Sequence, residues 1–294
     1  MSNSLTIIRK KGNKQSFIEA YDETLKLWPV PYEELLIPTR FGDTHIIAAG
    51  PVDGEPLILI HGMTFSATMW YPNIEPLSRF YRVYALDTIG DLGKGNVTRM
   101  MKTRQDAEDW LDDVLSGLNI SSAVFAGHSM GGWLSLNYAI LAPEKVNKLV
   151  LFAPAAGIGK VTPKFLLKVY PALAFPSESR IQKEIEWFVS PSFQPDEKSE
   201  ILFRQFIVSG LNCVPCQRVN PIVFSDMELQ NLSVETLLLI GADEVIYNPV
   251  KMLERAIRLM PNVTAQMIPK AGHGLTIEQY EKVNEAVLSF LAQR

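Results

Sequence analysis

The chain has 294 residues, 47% of them hydrophobic and 20% charged, enough to bury a large core, and α/β folds of this length are often one domain. A formal net charge of −4, with no basic cluster interleaved with aromatics, gives no electrostatic reason to expect nucleic acid. No apolar run is long enough to span a bilayer, and the opening "MSNSLTIIRKKGNKQ" carries its basic residues after a short apolar piece and lacks a cleavage site, so a soluble cytoplasmic protein is expected.

In chain order, residues 16–27 are expected to be helical, and "ELLIPTRFGDTHIIAAG" alternates well enough for an antiparallel hairpin. Six strand-like runs follow: "LILIH" (57–61), "YRVYALD" (81–87), "SAVFAGHS" (122–129), "KLVLFAP" (148–154), "TLLLIG" (236–241) and "TAQMIPKAGH" (264–273). Amphipathic stretches lie between or after them, at 103–118, 249–260 and 277–293, and 133–142 also reads as a helix. Short apolar runs separated by helices imply a mostly parallel central sheet covered on both faces.

One interval breaks this rhythm. Residues 157–233 show no good strand but three helical stretches, "KFLLKVYPALAF", "ESRIQKEIEWFV" and "EKSEILFRQFIVSGLN". An insertion between two core strands would sit over their carboxyl ends, where open α/β sheets bind ligands. We read it as a helical cap on a single domain whose core is 1–156 and 234–294. Cys213 and Cys216, spaced C-V-P-C within it, lack the strand–helix context of a redox pair and the further ligands of a zinc site, and read as ordinary cap residues.

The stretch "VFAGHSMGGW" (124–133) places a serine where a buried strand turns at once into a helix. Close packing at such a corner leaves room only for hydrogen at Gly127 and Gly131, and the turn lifts the Ser129 side chain clear of the sheet. A serine hydroxyl needs a base within hydrogen-bond reach and a third group to orient that base. Of four histidines, His128 points to the opposite face, His61 braces the loop after its strand, and His45 lies in the N-terminal hairpin, away from the strand carboxyl ends. His273 remains, in the loop between the last strand and the last helix. The third group is expected after the penultimate strand, where "GADEVIYNP" offers both Asp243 and Glu244. Asp87 and Asp91 precede the serine, and Asp87 reads as a loop-bracing residue. Donors for a developing oxyanion are expected from the backbone amides of Met130, after the serine, and of Met63, in the loop "HGMTFSATMW".

With these motifs the chain resembles the α/β-hydrolase superfamily over nearly its whole length: "HGMTFSATMW", "GHSMGG", "GADE" and "AGHGL" stand in the order serine, acid, histidine. "TRFGDTHIIAAGP", "MWYPNI" and "GADEVIYNP" further resemble the bacterial carboxylesterases of the NP type, known for cleaving arylpropionate esters such as those of naproxen. His128 and Met130 beside the serine and Met63-Thr64 in the oxyanion loop are this chain's own departures. The resemblance implies an ester hydrolase without metal or cofactor, working through an acyl-enzyme on small to medium apolar or aryl esters. It also favours Glu244 as the acid, since the superfamily's acid falls three residues after the strand-ending glycine, here Gly241. The aromatic and aliphatic side chains of the cap (Phe165, Leu166, Tyr170, Phe175, Trp187, Phe188, Phe203 and Phe206) suit an apolar acyl or aryl group, although half or more of them should simply form the cap's own core. Carbon–carbon bond hydrolases, perhydrolases and lipases share this fold, as would a ligand-sensing protein, and a homodimer is compatible with the sequence.

Overall fold

The computed structural model describes residues 7–9, 11–214 and 219–293. Its main sheet contains β1 (Tyr32–Thr39), β2 (Gly42–Ala49), β3 (Glu55–Ile60), β4 (Tyr81–Leu86), β5 (Ala123–His128), β6 (Val146–Phe152), β7 (Thr236–Gly241) and β8 (Val263–Ile268). The spatial order is β8-β7-β6-β5-β3-β4-β2-β1, with the two-residue strand Asn96–Val97 added beside β2. Strands β3 to β8 are parallel, while β1 and β2 form the antiparallel hairpin.

The central strands are buried on both faces, and the alternation of side chains divides them between two cores. Ile58 and Ile60 of β3, Leu149 and Leu151 of β6, and Leu238 and Ile240 of β7 face one core. That core is closed by α3 (Arg104–Gly117), α4 (Met130–Leu141) and α9 (Pro249–Leu259). Leu57, Leu59, Val150, Leu237 and Leu239 face the other, closed by α1 (Lys14–Leu25), α2 (Tyr71–Ser78) and α11 (Tyr280–Leu291). A helix such as α3 forms where expected because Thr103 and Asp106 make a reciprocal capping box and Ala107, Trp110, Leu111 and Val114 bury one face.

Between β6 and β7 lie α5 (Pro163–Ala174), α6 (Glu178–Phe188), α7 (Glu197–Asn212) and the short α8 (Asp226–Gln230). Ile181, Ile185, Phe203 and Phe206 make a small core of their own there. Four local features depart from the sequence expectation. Cys213–Val214 is a strand, paired antiparallel with Ile7–Ile8, and a two-residue ladder is too short to leave a periodic pattern. Helix α2 was not foreseen, since it carries Pro72 near its start and Pro76 inside. The last strand stops at Ile268, because Pro269 has no amide to donate and Lys270 has a φ of 57°. The expected 277–293 helix is two, α10 (Leu275–Glu278) and α11, separated at Gln279. Cys216 lies outside the described residues.

Candidate active site

From β3 the chain continues to β4 on one side of the sheet, and from β5 it continues to β6 on the other. The crevice between β3 and β5 is therefore the point where an open α/β sheet presents its loops to a ligand. Both loops there carry residues singled out from sequence.

Ser129 occupies the turn from β5 into α4 with φ 52° and ψ −113°, a conformation that costs a non-glycine residue about 1–3 kcal/mol. Its surroundings impose it. Ser129 N donates to Phe152 O at 2.9 Å, and its carbonyl accepts from Ala155 N at 2.9 Å and Trp133 N at 3.0 Å. A Cβ on Gly127 would stand 2.2 Å from Gly131 O, and one on Gly131 would stand 2.1 Å from Ile60 O. The corner closes only because both positions are glycine.

His273 sits in the loop after β8. Its ring nitrogen Nε2 is 2.9 Å from Ser129 Oγ, and Nδ1 is 2.8 Å from Glu244 Oε2. Glu244 Oε1 accepts from Val245 N at 2.7 Å and Ile246 N at 2.9 Å. A carboxylate so placed only accepts, so Nδ1 carries the ring proton and donates it to Glu244, leaving the Nε2 lone pair facing the serine hydroxyl. All three residues are buried. Asp243 is exposed and turned away: it accepts from Ser190 Oγ at 2.6 Å, and its amide donates to Ala271 O. The structure thus brings Ser129, His273 and Glu244 together and leaves Asp243 outside the chain of hydrogen bonds.

The Met63 amide lies in the loop after β3 and the Met130 amide at the first residue of α4, just past the neighbouring strand β5, and neither donates to another described residue. The Met63 loop is braced from below. His61 donates from Nδ1 to Gly62 O at 2.8 Å and accepts from Thr88 N at 2.9 Å. Thr64, at φ 66°, donates its amide to both oxygens of Asp91. Burial pushes the Asp91 carboxyl up to about 6, against the pull of these amides. Asp87 accepts from Ala67 N at 2.8 Å and from Lys94 N at 2.9 Å.

His45 corrects the sequence reading. Because β2 runs antiparallel to β4, its beginning abuts the carboxyl end of β4, and His45 Nδ1 lies 2.9 Å from Asp87 Oδ2. It belongs to the bracing of this edge. His128, excluded as a base, still serves the site: its Nε2 donates to His273 O at 2.8 Å. Burial drives this imidazole down to about 3, so it is neutral, and its Nδ1 has no partner among the described residues. Sequence reasoning missed this role and that of Asp91: His128 had only its place beside Ser129 to hint at it, and Asp91, 27 residues from Thr64, had no such signal.

Ser129 and His273 open into a cavity of about 1080 Å³, counting the part open to solvent. Its walls are largely apolar, and Phe165, Phe188, Phe203 and Phe206 contribute to them. Leu166, Tyr170 and Phe175 instead face outward, and Trp187 is half-buried with Lys164 and Lys168 over its ring. Among the described residues no group of three or more His, Cys, Asp and Glu side chains is arranged to hold a metal ion, and no helix is long and apolar enough to cross a membrane.

Comparison with known proteins agrees with this geometry. The model of the Alpha/beta hydrolase family matches residues 57–286. Carboxylesterase YbfK of Bacillus subtilis is 40% identical over 283 residues, covering 94% of this chain and 93% of that one. A second Bacillus subtilis protein, described as the uncharacterized carboxylesterase nap, is 37% identical and covers 99% and 97% of the two chains. The crystal structure of naproxen esterase (carboxylesterase NP) from Bacillus subtilis superposes with a TM-score of 0.87 at 36% identity, over 94% of this chain and 97% of that chain.

Proposed function

The chain belongs to the alpha/beta hydrolase family, and from that premise we propose that it is a serine carboxylesterase with Ser129 as nucleophile, His273 as base and Glu244 as the orienting acid. The observation that carries this reading is the continuous run of hydrogen bonds from Ser129 Oγ through His273 to Glu244, at the floor of an apolar cavity.

The mechanism follows from the protonation pattern. His273 Nε2 takes the hydroxyl proton as Ser129 Oγ attacks the ester carbonyl carbon, and Glu244 stabilises the imidazolium that forms. The free amides of Met63 and Met130 receive the negative charge on the carbonyl oxygen. The protonated Nε2 then gives its proton to the departing alcohol. Water, deprotonated by the same nitrogen, attacks the acyl-enzyme and releases the acid and the serine hydroxyl. Helices α5–α7 act as a cap whose apolar inner side receives an aliphatic or aryl acyl group. YbfK and naproxen esterase carry ester hydrolysis in their names, and the near-complete coverage supports the same reaction class here.

The test is labelling and turnover in parallel. Wild-type protein should hydrolyse p-nitrophenyl esters of short and medium acyl chains and be labelled by an organophosphorus reagent on Ser129. Ser129→Ala should stay folded and lose at least about a thousandfold in kcat. A label that maps to another serine overturns the assignment.

A further inference from the structure

Where α6 ends, the chain passes against the His273 loop and is fastened to it and its neighbours three times. His273 N donates to Phe188 O at 2.7 Å, Ser190 N donates to Glu278 Oε2 at 2.6 Å, and Ser190 Oγ donates to Asp243 Oδ2 at 2.6 Å. Glu278 also accepts from Gly272 N, 3.0 Å from each of its oxygens. The two segments approach so closely that a Cβ on Gly272 would stand 2.4 Å from Phe188 O. Glu278 is 8% exposed and lines the same cavity as His273. A carboxyl group in a largely apolar wall is costly to bury, and packing alone would be served by an aliphatic side chain. What this one does is hold backbone amides of two segments more than eighty residues apart.

We infer that Glu278 is a positioning residue, which ties the segment after α6 to the His273 loop and so fixes the imidazole opposite Ser129. It acts through Gly272 and Ser190 and not on the substrate. Burial pushes its carboxyl up to about 7, against the amides that favour the ionised form. The charged and titratable groups around it are His273 on the held loop, Asp243 across Ser190, and Glu184 and Arg9 in the shared cavity. Protonation would turn one oxygen into a donor facing amide donors, so the clasp loosens on the acid side.

The kinetic arm of the test rests on the esterase reading, and the spectroscopic arm does not. In intact protein, Glu278→Leu should lower kcat for p-nitrophenyl acetate about tenfold to a hundredfold, with KM within about twofold. Glu278→Gln keeps one acceptor oxygen and should recover part of that loss. Independently of any substrate, the low-field proton NMR signal of His273 Nδ1–H bonded to Glu244 should be sharp in the wild type above pH 8. In Glu278→Leu it should broaden or move above pH 8, and the wild type should show a step as pH falls through about 7 that Glu278→Gln, with no carboxyl to protonate, lacks. A folded Glu278→Leu with wild-type kcat and an unchanged signal overturns the inference. Should that variant not fold, a Glu278→Gln signal that matches the wild type's at every pH between about 5.5 and 8 overturns it equally. If the wild type turns over no ester, the NMR result alone decides the role of Glu278.

Discussion

Glu244→Gln isolates the charge of the acid while keeping its shape. The oxygen held by Val245 N and Ile246 N, at 2.7 and 2.9 Å, would remain the amide oxygen, so the new NH2 takes the place of Oε2, 2.8 Å from His273 Nδ1. Two donors then face each other. The imidazole escapes by moving its proton to Nε2, which makes that nitrogen a donor to Ser129 Oγ and unable to accept the hydroxyl proton. Wrong tautomer and lost imidazolium stabilisation together should lower kcat by about 10²–10⁴, equivalent to about 3–5 kcal/mol. Asp243→Asn retains an acceptor for Ser190 Oγ and lies outside this chain, so it should change kcat less than about threefold. Both variants are assayed with one p-nitrophenyl ester after far-UV circular dichroism has shown them folded. If Asp243→Asn is the crippled protein and Glu244→Gln is not, the tautomer reasoning is wrong.

Gly131→Ala forces a Cβ to within 2.1 Å of Ile60 O, so it should lower stability by more than about 2 kcal/mol in urea unfolding or prevent folding, and a wild-type midpoint would refute the corner argument. Burial alone would push the His45 imidazole down, but the Asp87 and Glu34 carboxylates outweigh it and hold it above its ordinary range. Its contribution to stability is therefore complete below about pH 6.5 and lost as pH rises through the folded value, so His45→Gln should destabilise more at pH 6 than at pH 9, and an equal loss at both would contradict this. Phe206 lines the cavity and stacks on Phe65 at 4.7 Å. Phe206→Ala should raise the kcat/KM of a bulky aryl ester relative to the acetate about tenfold, and an unchanged ratio would place Phe206 in the cap's packing alone.

The parallel core was legible because each central strand is a short apolar run with no polar face to hide, as in "LILI" and "TLLLI". Helix α9 was legible for the opposite reason, since its buried Met252, Ala256 and Leu259 recur at helical spacing. What escaped has no period to detect. The Ile7–Ile8 and Cys213–Val214 ladder joins residues about two hundred positions apart, and α2 begins from Trp70 with two prolines in its eight residues. Strand direction misled at His45. A hairpin strand was set apart from the carboxyl edge, whereas antiparallel pairing delivers its first residues there.

The same distinction separates the residues of the site that sequence could name from those it could not. Ser129 and His273, the proposed nucleophile and base, present their side chains just past strand ends, so motif and order reveal them. Asp243 and Glu244 could not be separated by composition, because the choice is made by backbone bonds: Asp243 N donates to Ala271 O, and Glu244 folds back on the next two amides. His128, Asp91 and Glu278 each grip a main-chain group, the His273 carbonyl, the Thr64 amide and the Gly272 amide respectively. A main-chain partner leaves no signature in the side chains of the residue being held, so no motif could have paired them. It also sets the kinetic signature of removing them. The proposed nucleophile, base and oxyanion donors all remain, displaced by fractions of an ångström, so the loss should fall on kcat and spare the KM of a small ester.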